Sequence, residues 1–158
     1  IVLGEVNVFE FPDCYDNSVK ANFVGEFSSD SKYTEFEFGH VAGFIDLNTY
    51  DDKLIVDRMD ADFYSISVNG KYTDVSINLL GKAQFFLDVN FKYTKYELPD
   101  DVLYSDVNTK SSQFIASGRT EGLKKDDQIK IQKNKAGVRK ANIGKISIEQ
   151  YDGTLKIK

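Results

Sequence analysis

Apolar and polar positions alternate along most of this chain. In residues 83–93, Ala83, Phe85, Leu87, Val89, Phe91 and Tyr93 alternate with Gln84, Phe86, Asp88, Asn90 and Lys92. In residues 19–27, Val19, Ala21, Phe23, Gly25 and Phe27 face one way, and Lys20, Asn22 and Glu26 face the other, with Val24 the exception. Period two marks a strand with one face in a core and one in water. A strand from Lys82 to Tyr96 would run about 50 Å at ~3.4 Å per residue. That length predicts a bulge, a bend, or a strand shared between two sheets.

Two dipeptides read as hairpin turns. Asn69-Gly70 suits a type I′ turn and would set Ile66 against Thr73 and Tyr64 against Val75. Tyr64, Ile66, Val75 and Ile77 would then share a face. Asp152-Gly153 repeats the arrangement, with Ile146, Ile148, Leu155 and Ile157 on the inner face and Lys145, Glu149, Lys156 and Lys158 outside. Further strands are predicted at Val2–Phe11, Tyr33–Phe38, Val41–Leu47, Leu54–Val56, Gln113–Ala116 and Gln128–Gln132, and a turn at Asn134–Gly137. The one helical candidate is Asp100–Thr109, with Val102, Leu103 and Val107 on one side. No fixed-period repeat and no interdomain linker is evident. The chain therefore reads as a single β-domain spanning 1–158, all-β and antiparallel. A jelly-roll type β-sandwich is expected, with a closed β-barrel as the alternative.

Composition supports one core. The chain has 158 residues, 41% of them hydrophobic and 28% charged, with two prolines. No apolar run approaches the ~18–20 residues of a membrane helix, so no membrane insertion is expected. The chain opens on Ile1 rather than Met, which reads as a processed, trimmed or chosen start. Compartment stays open on these grounds, and an extracellular or virion-associated setting is the expectation.

The chemistry is sparse. One cysteine, Cys14, and one histidine, His40, cannot build a zinc site. Asp13 and Asp16 flank Cys14 and oppose a reactive thiolate. Walker, Rossmann and nucleophile-elbow signatures are absent. No catalytic residue and no cofactor is assigned, and the chain reads as non-enzymatic. Asp51, Asp52, Asp60 and Asp62 form a weak calcium candidate without EF-hand spacing.

Charge is unevenly spread. Residues 118–158 hold eleven Lys/Arg against five Asp/Glu, a balance of +6, and the other 117 residues carry −11. Lys124, Lys125, Lys130, Lys133, Lys135, Arg139 and Lys140 form a candidate basic face. Tyr72, Phe91, Tyr93 and Tyr96 are candidate stacking aromatics beside lysines. Two function classes follow. The first is a structural domain for assembly or attachment, of a virus, phage or bacterial surface structure, acting through edge strands and complementary charge. Its partners are proteins or further copies of itself, and the strand at Ile1–Phe11 is its candidate edge. The alternative is a ligand-binding module. It would hold single-stranded nucleic acid or another anionic polymer on the basic face, or an apolar ligand inside a barrel.

Overall fold

A computed structural model describes residues 1–158. It contains thirteen strands and no helix: β1 (Val2–Tyr15), β2 (Ser18–Lys32), β3 (Glu35–Phe38), β4 (Val41–Tyr50), β5 (Lys53–Met59), β6 (Ser65–Leu79), β7 (Phe85–Lys92), β8 (Lys95–Glu97), β9 (Val102–Lys110), β10 (Gln113–Thr120), β11 (Ile131–Lys133), β12 (Arg139–Ala141) and β13 (Gly144–Ile157).

The sheet is mostly parallel. β2 pairs with β3 through residues 18–21 and with β4 through residues 24–32. β6 pairs with β4 through residues 65–71 and with β5 mainly through residues 74–77. The pairings β2–β3–β5–β6–β4–β2 thus close a ring of five parallel strands. The ring is a coil seen through its hydrogen bonds. Each turn lays a short segment on a narrow face, bends, lays a longer segment on a broad face, turns a corner and starts again one strand higher.

The rows of the register show where the core sits. On the broad face Phe9, Phe27, Ile45, Ile66, Ile146 and Leu87 stack in successive strands. On the narrow face Val19, Phe36, Leu54, Val75 and Leu155 do the same. The two meet in the middle: the Phe27 ring lies 4.9 Å from Phe36 and 4.8 Å from Phe38, centroid to centroid. The outward row beside them is polar, running Glu10, Ser28, Asp46, Ser67, Ser147, Asp88, Ser117 and Asp106.

All-β is what the alternation predicted, but the antiparallel jelly-roll sandwich is not what forms. Alternation reports that one side of a sheet is wet, and it carries no information on strand direction. The two predicted hairpins fail for a related reason. Asn69-Gly70 lies inside β6, and Asp152-Gly153 lies inside β13, where residues 153–157 continue alongside 73–77 of β6. Both stretches pass along the coil instead of folding back. The inward residues were read correctly at Ile66, Val75, Ile77, Ile146, Ile148, Leu155 and Ile157, which are all buried, but not at Tyr64, which is half-buried just before β6, or at Tyr93, which is exposed at its corner. The expected bend in 82–96 is present: Tyr93 has φ 57°, and β7 and β8 follow different parts of β13. The helix expected at Asp100–Thr109 does not form: Asp100 and Asp101 make a turn, and Val102–Thr109 lies in β9, paired antiparallel with β10 at one end of the stack.

Candidate functional site

The corners of the coil carry a motif in two forms. Lys-Tyr-Thr stands at 32–34, 71–73 and 92–94, and Tyr-Asp stands at 15–16, 50–51 and 151–152. Each corner holds a non-glycine residue with left-handed φ: Asp16, Tyr33, Asp51, Tyr72, Tyr93 and Asp152. The first five follow at intervals of 17, 18, 21 and 21 residues. This is a repeat of uneven length, which a search for a fixed period passes over.

A left-handed residue costs about 1–2 kcal/mol, and two devices offset it. At four of the six corners the residue after it turns its side chain back onto the carbonyl two positions earlier: Asn17 Nδ2 donates to Tyr15 O, and the Thr34, Thr73 and Thr94 hydroxyls donate to the Lys32, Lys71 and Lys92 carbonyls. The second device is a tyrosine ladder. Tyr15, Tyr33, Tyr50, Tyr72, Tyr151 and Tyr93 meet edge to face with centroids 5.2–5.9 Å apart. Such pairs are worth about 0.5–1.5 kcal/mol each. Lys71 lies over Tyr50, Tyr72 and Tyr151, and Lys92 lies over Tyr93 and Tyr151.

In stacking order the corners alternate, with Tyr15, Lys32, Tyr50, Lys71, Tyr151 and Lys92 in one row. Lysine-bearing turns never sit next to one another, and each lies beside a turn carrying Asp16, Asp51 or Asp152. Stacking in chain order would set Lys71 directly against Lys92. β13 enters between them and supplies Tyr151 and Asp152.

A strap formed by residues 121–143 leaves β10 and returns to β13 across the outside of the broad face. Val138 is fully buried. Its side chain occupies the space that a Cβ on Gly25 or Gly43 would take, together with the Asn7 carbonyl at Gly25 and the Arg139 carbonyl at Gly43. Arg139 donates from its backbone N–H and Nε to Glu26 Oε1, and from an Nη to Oε2 at 2.8 Å. Its guanidinium also covers the Phe44 ring at 4.5 Å. Lys140 donates to Asp60, Asp62 and the Ala42 carbonyl at 2.6, 2.7 and 2.9 Å. His40 Nε2 lies 2.7 Å from the other Asp60 oxygen.

These contacts redistribute the expected site residues. Arg139 and Lys140 leave the basic face to lock the strap. Lys124, Lys125, Lys130, Lys133 and Lys135 remain exposed and make no salt bridge. The calcium candidates separate: Asp60 and Asp62 hold Lys140, buried Asp52 accepts from the Ser31 hydroxyl and the Thr34 N–H, and Asp51 turns a corner. No group of three or more His, Cys, Asp or Glu side chains converges on a metal position. Among the aromatics, Phe91 belongs to the core, Tyr72 and Tyr93 to the ladder, and Tyr96 stacks on Phe114 at 4.8 Å. The interior is filled by Phe27, Phe36, Phe38, Phe63, Phe85 and Phe91, all fully buried. A surface cleft of about 360 Å³ lies beside Leu79, Ala83, Phe85, Leu98 and Ile157.

Glu26 is the electrostatic centre of the strap. Hydrogen bonds from the Arg139 side chain hold its carboxyl below the usual carboxylate range, against the cost of burial. At Asp60 burial pushes the other way, and the hydrogen bonds from Lys140 and His40 outweigh it, so its carboxyl also lies low. A depressed carboxyl contributes stability above its ordinary value, near 4.5 for Glu26, and that stability is lost as pH falls through the folded value. Glu26→Gln is expected to lower stability at neutral pH by about 1.5 kcal/mol. It should also make unfolding less sensitive to acid, and melting curves from pH 7 to 3 check both. A variant with the parental acid dependence would show that this pair does not set it.

Two open edges complete the surface. β1 has a strand partner, β2, on one side only, and β9 closes the opposite end of the order. Ile1, Val2 and Val8 are exposed at the first edge, and Leu103, Tyr104 and Val107 at the second. No family model matches this chain, no curated protein matches its sequence, and no solved structure matches its fold.

Proposed function

We propose that this protein is a rigid, non-enzymatic assembly domain that joins a protein partner or a further copy of itself through the open edge of β1. The observation that carries the reading is the edge itself. β1 is fourteen residues long, is paired on one side, and shows Val2 84% and Val8 51% exposed. An unpaired strand of that length is a template for strand addition.

The acidic and basic parts of the chain complement one another within the molecule, through Glu26–Arg139 and Asp60–Lys140. Charge complementarity between copies is therefore not part of the proposal. The anionic-polymer alternative retains five free lysines on the exposed strap, and the apolar-ligand alternative meets an interior filled with phenylalanine.

Val2→Lys/Val8→Lys places two charges on the edge while leaving the core rows intact. Native mass spectrometry of the parent chain, purified without unfolding, is expected to show multiples of 17.9 kDa, and the double variant prepared the same way, never unfolded and refolded, is expected to be monomeric. A parent chain that is monomeric at every concentration and binds no partner would end this reading.

A further inference from the structure

β13 is out of order in the stack. Its broad-face half, residues 144–151, lies between Ser65–Lys71 of β6 and Phe85–Lys92 of β7, parallel to both. Its narrow-face half lies between Thr73–Ile77 of β6 and Lys95–Glu97 of β8. Both walls of this slot precede β13 in the chain. They must be formed, or held open, before β13 can enter.

Without β13 the slot is an acceptor on every physical count. Ile146, Ile148, Leu155 and Ile157 are 0–2% exposed and complete both inner faces. The backbone groups of β6 and β7 that face β13 would have no partner. Lys71 and Lys92 would meet across the gap with no Tyr151-Asp152 between them.

The tether also permits a choice of donor. Residues 121–137 are nearly all exposed; Glu121 N–H reaches Asp101 O, and residues 128–133 pair with the segment that follows, through β11 on β12 and through Gln128 and Lys130 on Asn142. With that hairpin intact the free tether is residues 122–127, which spans about 20 Å, and with β11 released from β12 all seventeen residues span about 55 Å when extended. The firmly docked part begins at Val138, so residues 138–158 form one unit: the strap anchor and the inserted strand. Nothing in the slot distinguishes this unit in the same chain from the same unit in another.

We infer that residues 138–158 are an exchangeable donor segment, and that the slot between β6 and β7 accepts this segment from a second copy of the chain. The product is a strand-exchanged dimer when two chains donate reciprocally, and an open chain of molecules when donation runs head to tail. This deepens the assembly reading by naming the partner as a second copy, but it uses a different surface from the β1 edge.

Cysteine pairing reads the donor directly. Ser67 and Ser147 are register partners across β6 and β13 and both lie on the outward row, at a spacing that suits a disulfide. With Cys14→Ser as background, one chain carries Ser67→Cys and the other Ser147→Cys. The two are unfolded together in urea, refolded at high protein concentration and oxidised. Exchange predicts a covalent heterodimer as the main product on a non-reducing gel, absent when either chain is refolded alone. A control chain carrying both cysteines, refolded dilute, should close an intrachain disulfide. If that control closes and the mixed chains give no heterodimer, the inference is overturned.

A second measurement needs no cysteine. Isotope-labelled and unlabelled parent chains, co-refolded and then diluted, should give a mixed dimer in native mass spectra that survives dilution. The Val2→Lys/Val8→Lys variant should give it too. Loss of the mixed dimer in that variant would assign association to the β1 edge and remove it from the slot.

Discussion

Gly153→Ala is expected to destabilise the protein by about 3 kcal/mol or more, lowering the melting temperature by roughly 10 °C. Two effects add at this position. Gly153 has φ 92° and follows Asp152 at φ 60°, so the β13 corner contains two consecutive left-handed residues. A Cβ there would also come closer than 3.0 Å to the carbonyl oxygen, carbon and nitrogen of Thr73. Those atoms belong to the neighbouring turn and cannot rotate away as a flexible side chain would. The same Thr73 carbonyl accepts a hydrogen bond from buried Gln150 Nε2 at 2.7 Å, so displacing it also strains a buried polar contact. Gly137→Ala separates the two effects. Gly137 has φ 79° but open space around it, and should cost only about 1 kcal/mol. Equal losses in the two variants would mean that the corner yields, and that close stacking against Thr73 does not hold β13 in place.

That corner also shows what could be read from the residues and what could not. The inward residues were legible because a strand with one wet side must alternate, whatever runs beside it. Direction was not legible, since Ile66 and Ile77 face inward equally well in a hairpin or in two successive segments of a coil. Asp152-Gly153 does what such a pair favours, taking positive φ at both residues. In an antiparallel ribbon that makes a hairpin, and in a coil it makes a corner. The deciding signal was the recurrence of Lys-Tyr-Thr and Tyr-Asp, five occurrences of which precede β13 at intervals close to one turn. The candidate site followed the same logic. Lys140 and Asp60 were each noticed, one as a nucleic-acid contact and one as a calcium ligand, but their pairing spans eighty residues of sequence and belongs to the strap. Glu26 was read only as a polar position on its strand, because nothing local marks the partner of a buried carboxylate 113 residues away.

Phe27→Ala is expected to cost about 3–5 kcal/mol, the range for deleting a fully buried aromatic side chain. Phe27 is 0% exposed and touches both faces of the coil, with the Phe9 ring at 5.8 Å beside it and Phe36 and Phe38 opposite. Removing it leaves a void that three neighbouring rings border and that the hydrogen-bonded strands around it cannot close. Phe27→Leu keeps most of the volume and should cost about half as much. Urea titration distinguishes the outcomes: the midpoint should fall in that order while the slope stays constant, since the same surface is exposed on unfolding. The effect should extend to the edge. Phe9 lies in β1 and packs on Phe27, so the cavity loosens the strand on which the assembly proposal rests. In chains never unfolded and refolded, Phe27→Ala should therefore weaken association through the β1 edge even where the domain is still folded, whereas truncation of the equally buried Phe85, which lies on β7 against β13 and away from β1, should not. Equal losses of association in the two variants would show that general softening, and not the order of β1, controls the contact.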